Sequence, residues 1–249
     1  MSELKIELKR EEKGENIVKQ SHFFLPVVHA LNLEQTMRQM EIALQNGADG
    51  VFLIGHGIRY NELFDIYSQV RDAYPYNWIG LNCLDLTPLE MFSRIPPDVN
   101  GVWVDNAYIN EELDINEQQY PLQVRNLINK NKWKGLYFGG VAFKYQRRVN
   151  DTILATKIAC QYMDVVTTSG IGTGLAAEPE KIKIMSSIVK KYDKKLGIAS
   201  GITFNNVEDY KSVNYFLVAT GISKDFHTFN PLLVKKLSDK INKLKQIQE

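Results

Sequence analysis

Eight short apolar runs recur along the chain, separated by longer stretches with helical periodicity. The runs are HFFLPVVHA, GVFLIGH, NWIGLNCL, GVWVDN, GLYFGGVAF, DVVTTSG, LGIASG and YFLVATG. Each is apolar on both alternating faces, the pattern of a strand covered on both sides in a parallel sheet. In the segment after the first run, Leu33, Met37, Met40 and Leu44 share one helical face, and Gly47 stops the helix. After the sixth run a helix is predicted to begin near Pro179. Near the end, Asn230 is placed as an N-cap with Pro231 at the first helical position. Leu233, Leu237, Ile241 and Leu244 then form an apolar stripe. Eight βα units in one domain-sized chain predict an α/β fold, a (β/α)8 TIM barrel. An open doubly wound sheet is the alternative, but no early glycine-rich dinucleotide fingerprint supports it. Residues 1–20 are expected to be an N-terminal arm or a cover for the barrel bottom, and 21–249 a single barrel domain.

Charge adds mainly exclusions. Lys and Arg number 30 against 29 Asp and Glu, so no electrostatic footprint for nucleic acid or an anionic membrane is visible. The two cysteines, Cys83 and Cys160, lie in apolar segments without CxxC spacing, which argues against a disulfide framework or a zinc site. No apolar run approaches the roughly 18 residues needed to span a bilayer, and the charged start MSELKIELKREEKG lacks a signal-peptide core. A cytoplasmic setting is expected. An oligomer is left open: the aromatic stretch YPYNW suits an interface or packing at the barrel bottom equally.

Candidate chemistry gathers where the strands end. KLGIASGITFNNVEDY ends the seventh strand and NYFLVATGISKD the eighth, the two places where a barrel commonly docks a phosphate. Gly201 and Gly221 would let backbone N–H groups approach an anion, with Ser200, Thr203, Thr220 and Ser223 as hydroxyl donors and Lys224 as the compensating charge. Helix starts after both turns are expected to add amides. Either turn alone also reads as an ordinary tight βα connection.

The remaining rim is polar: His29, His56, Asn82, Asp85, Asp105 and Lys144, with Thr167, Thr168 and Ser169 at the sixth strand. Convergence on a ligand explains polar groups at the ends of apolar strands. Asp105 ends the wholly apolar GVWV, where burial would perturb its pKa, and is the acid–base candidate; its alternative is a carboxylate capping a loop amide. Lys144 could pair with Asp105, bind an anion, or be a solvated loop lysine, and with Arg147 and Arg148 it suggests a second anion site. His29 and His56 are further acid–base candidates, although a lone histidine is more often structural. The set His29, His56, Asp85 and Asp105 lacks any compact metal-ligand spacing, so no metal or cofactor is expected. The glycine-rich stretch Ser169, Gly170, Gly172, Thr173 and Gly174 reads as a lid over the site, or as an inert loop.

The motifs NGADGVFLI, IGLNCL, VTTSGIGTG, IASGITFNNV and VATGISKDFHTFNPLLVKKL resemble the BtpA/SgcQ family of TIM-barrel proteins over most of the chain. The resemblance implies the barrel and the paired glycine-and-hydroxyl turns, with Asn82 and Lys144 matching a strand-three asparagine and a strand-five lysine. Asp105 stands where the family usually shows asparagine. The family's proline-rich stretch after His29 is missing, its Glu-Asn pair at strand two is Gly55-His56 here, and the histidine after the strand-five lysine is Tyr145. Some members of the family are linked to photosystem I biogenesis and others lie near sugar-phosphate genes. The paired turns and the polar rim give the expected function: an enzyme on a small phosphorylated metabolite, a sugar phosphate or a phosphoribosyl or nucleotide compound. The alternative is a non-catalytic assembly or regulatory factor built on the same barrel.

Overall fold

A computed structural model describes residues 22–245; the arm expected at 1–20 lies outside them. All eight predicted strands form: β1 (Phe23–His29), β2 (Gly50–Gly55), β3 (Trp78–Cys83), β4 (Gly101–Val104), β5 (Leu136–Gly140), β6 (Val165–Thr168), β7 (Lys195–Ala199) and β8 (Tyr215–Val218). They pair in parallel and in chain order, and β8 closes on β1 to complete a barrel. Around it run α1 (Leu33–Gln45), α2 (Tyr60–Ala73), α3 (Pro88–Arg94), α4 (Gln119–Lys130), α5 (Thr152–Ala159), α6 (Pro179–Lys191) and α7 (Pro231–Lys245).

Two cores result from the strand alternation. Inward side chains stack edge to face, with Phe52 at 5.1 Å from both Trp78 and Phe138, and Phe138 at 5.0 Å from Tyr215. Trp78, from the YPYNW stretch, thus fills the barrel interior. Outward side chains pack under the helices; on α7, Val234, Leu237 and Ile241 are fully buried. Asn230 caps α7 by accepting from the Leu232 amide at 3.0 Å. On α1 the buried set is Thr36, Gln39, Met40 and Ala43, with Leu33 and Met37 at its margin. The inward face is thus rotated towards two polar residues.

The bottom of the barrel carries a device that repeats four times. The residue just before β2, β4, β6 and β8 is Asp49, Asn100, Asp164 and Asn214. Each accepts the amide of the second residue of the preceding strand: Phe24 at 2.8 Å, Ile79 at 2.9 Å, Tyr137 at 2.9 Å and Leu196 at 3.0 Å. Short Asx side chains satisfy amides that the ladder leaves open where strands begin.

Two expectations fail on the last units. No α-helix separates β7 from β8; a short 3-10 helix, Val207–Tyr210, replaces it. After β8 the chain makes a 3-10 turn, Thr220–Ile222, and an antiparallel hairpin of β9 (Ser223–Asp225) and β10 (Thr228–Phe229) before α7. The helix starts expected to add amides there are absent. Thr203 accounts for the first: its amide donates to Asn206 Oδ1 at 2.8 Å, a side-chain turn in place of a helical one.

Candidate active site at the barrel mouth

The ends of β1, β3, β4 and the β5 loop bring His29, Asn82, Asp105 and Lys144 to one mouth. Asn82 is almost fully buried and donates from Nδ2 to Asp105 Oδ1 at 3.1 Å. Burial pushes the Asp105 carboxyl above its ordinary pKa, while the Asn82 hydrogen bond and the Lys144 charge oppose that shift. Lys144 Nζ lies over the Phe143 ring at 5.8 Å, and its amide donates to Ser169 Oγ at 2.7 Å. Deeper in the mouth, Trp103 Nε1 and Thr167 Oγ1 are buried with no hydrogen bond among the described residues.

His29 stacks on Phe226 of the hairpin at 4.1 Å, and its Nδ1 meets the Phe226 carbonyl at 2.9 Å. Burial lowers its pKa; the Phe226 hydrogen bond raises it, and the charges of His56, His227 and Lys144 lower it further. His56 is exposed, with its ring 4.9 Å from Phe226. Asp85 does not join Asp105: it is exposed and accepts the Tyr60 amide at 3.1 Å, at the start of α2. Among the described residues no group of three His, Cys, Asp or Glu side chains is arranged to hold a metal.

The two turns lie side by side and pack against each other. A Cβ on Gly221 would come 2.0 Å from the Ile202 carbonyl oxygen, and one on Gly201 2.2 Å from the Ala176 amide. Gly201 also adopts φ +70°, so glycine is required there by chain packing whatever it binds. The hydroxyls are engaged: Ser200 with Gly172 O at 2.9 Å, Thr203 with Asn206 Oδ1 at 3.3 Å and Ser223 with Ala219 O at 2.9 Å. Thr220 and Lys224 are exposed. The glycine-rich stretch is fastened: the Gly174 amide donates to Ser200 Oγ at 3.1 Å, and the Thr173 amide to Tyr145 Oη at 3.2 Å. Ser169 is buried at the strand end, and Gly170 packs under the Leu175 carbonyl.

Arg147 is paired with buried Glu111 and also donates to Asn110 Oδ1 at 3.0 Å, so it offers no free charge for a second anion. Beside these groups, between the β4 and β5 loops, lies a cleft of about 720 Å³.

Three participants escaped the sequence reading. Phe226 and His227 sit on a hairpin too short to leave a periodic signal; His227 Nδ1 meets the His29 carbonyl at 3.1 Å. Lys181, in the first turn of α6, donates from Nζ to Ala142 O at 2.6 Å and Ser169 O at 2.9 Å. Burial brings its pKa down to about 8. Its place on the stripe continued by Ile184, Met185 and Ile188 was the available signal.

These features define a closed (β/α)8 barrel with a polar mouth at the C-terminal ends of its strands. No family model matches the chain, and no curated protein matches it. Solved structures do. Phosphoribosyl anthranilate isomerase from Thermus thermophilus superposes with TM-score 0.61 at 11% identity, covering 89% of this chain and 99% of that one. Thiamine phosphate pyrophosphorylase from Pyrococcus furiosus gives TM-score 0.60 at 12% identity, covering 92% and 99%. (S)-3-O-geranylgeranylglyceryl phosphate synthase from Thermoplasma acidophilum, in complex with sn-glycerol-1-phosphate, gives 0.60 at 12%, covering 91% and 95%. Likeness at this level of identity establishes the barrel fold.

Proposed function

We propose that the chain is an enzyme acting on a small phosphorylated metabolite, a sugar phosphate or phosphoribosyl compound. Its phosphate rests on the amides of the turns after β7 and β8, and Asp105 moves the proton. Lys144 and His29 stabilise charge that develops at the reacting atoms. The carrying observation is the partly buried Asp105 carboxyl, held by Asn82 with its pKa raised, in the mouth where barrel enzymes act. Three barrels of the same fold bear names of phosphorylated compounds, which supports this reading.

A thermal-shift panel tests it: inorganic phosphate, ribose 5-phosphate, phosphoribosyl pyrophosphate, nucleoside monophosphates and hexose phosphates. A ligand at a hundred times its Kd adds about 2.7 kcal/mol, a rise of about 5–10 °C for a chain of this size. Thr220→Glu places a negative charge on an exposed position of the turn and is expected to abolish that rise without changing the unliganded Tm. Gly201 and Gly221 are unsuitable for this test, because a side chain there would disturb packing. No shift with any compound would favour the non-catalytic barrel.

A further inference from the structure

The cleft between the β4 and β5 loops is lined by Asn106, the residue after Asp105, and by Ala142, two residues before Lys144. Its volume of about 720 Å³ lies within the range of small-molecule sites. Of the charged side chains at the cleft, Arg147 is paired with Glu111, and the exposed Glu117 accepts the backbone amide of Asp114 at 3.1 Å. What remains is aromatic and amide. Tyr108 is 45% exposed and tilts against Tyr120 at 4.5 Å. Gln119 and Gln146 line the cleft, and their side-chain amides make no hydrogen bond among the described residues.

The backbone here is held in a costly form. Tyr108, Ala142 and Tyr145 all have positive φ, at 58°, 48° and 60°, and Tyr108 is kept there by its amide donating to Asn106 Oδ1 at 2.8 Å. An aromatic side chain in this region is strained, so glycine would suit the backbone better than tyrosine.

We infer that the cleft receives a heteroaromatic ring, nucleobase in size, stacked on Tyr108 and bonded at its edge by the amides of Gln119 and Gln146. An aromatic face suits any flat ring, and primary amides match the paired donor and acceptor of a base edge. The cleft lies three strands around the barrel from the turns after β7 and β8. A ligand with its phosphate on those turns and its ring in the cleft lays its central atoms across the mouth at Asp105. This narrows the substrate class to a nucleotide or a ring-bearing phosphoribosyl compound, and rests on the phosphate reading above.

Calorimetric titration tests it with inorganic phosphate, ribose 5-phosphate, AMP, UMP and phosphate-free adenosine and uridine, using wild type, Tyr108→Gly and Gln146→Ala. At least one nucleotide is expected to bind wild type about tenfold more tightly than ribose 5-phosphate, and Tyr108→Gly to remove that gain. Affinity for ribose 5-phosphate should be unchanged in the variant, and Tm should not fall by more than a few degrees. Should Tyr108→Gly fail to fold, Gln146→Ala carries the same comparison with an expected severalfold loss. A nucleotide that gains nothing over ribose 5-phosphate, or a gain that survives both variants, overturns the ring site while leaving the phosphate reading intact. Nucleosides that bind in a Tyr108-dependent manner while phosphate and ribose 5-phosphate do not would keep the ring site and overturn the phosphate turns. Binding of none of the six overturns both.

Discussion

Asp105 follows β4 in a partly buried position where desolvation acts on its carboxyl. Because burial raises its pKa above the ordinary 3.8, the folded state holds that proton to higher pH than the unfolded chain does. The associated stability is present below pH 3.8 and is lost as pH rises through the raised folded value. Asp105→Asn, which keeps a carbonyl for Asn82, is therefore expected to raise Tm at pH 7. That advantage should shrink towards zero as the pH is taken below 3.8, read by thermal unfolding across a pH series; a lower Tm at pH 7 would mean that the ionised carboxylate is stabilised in the fold. Asp105 was legible in sequence because a lone carboxylate ends a wholly apolar strand. Asp85 was not separable from it by that logic, since only the structure shows its side chain reaching the start of α2. Lys181 was hidden for the opposite reason: a lysine on an amphipathic helix ordinarily keeps its charge in water.

The β9–β10 hairpin is the element that most shapes the mouth, and α1 anchors it. Gln39, nearly fully buried, accepts the Phe229 amide at 2.7 Å, and Gln35 donates to the His227 carbonyl at 2.7 Å. This explains why α1 turns polar residues inward where periodicity alone placed an apolar face. Gln39→Leu leaves the Phe229 amide buried without a partner, at a cost of about 1–3 kcal/mol. The expected fall in Tm is about 2–4 °C for each kcal/mol, with greater proteolytic sensitivity around residues 223–229; an unchanged Tm would show that the anchor is dispensable. Strands of three and two residues carry no readable alternation, and the 3-10 segment before β8 arises from side-chain bonding by Asn206. Neither could be read from periodicity, whereas the eight barrel strands could.

At the scale of the whole molecule, closure depends on joining every strand to the next at both ends of the barrel. The four Asx residues before the even strands do this at the bottom for four of the eight neighbouring pairs, β1–β2, β3–β4, β5–β6 and β7–β8. Asn100→Leu would strip the acceptor from the Ile79 amide and from Arg71, which donates to the same oxygen at 2.6 Å. A loss of about 2–3 kcal/mol is expected, with Asn100→Asp restoring most of it; equal Tm for the two variants would show that the acceptor is not what matters. The amino-acid sequence by itself determined a parallel α/β sheet, because eight doubly apolar runs at βα spacing need cover on both faces, while the pairing of β8 with β1 decided the barrel over an open sheet. It also determined which polar residues end those strands. The tertiary structure alone decided which of them meet: Asn82 with Asp105, His29 with Phe226, and the Gly201 turn with Ala176. Those meetings depend on how loops fold over one another, and no local period or spacing encodes the distance between residues that lie on different βα units.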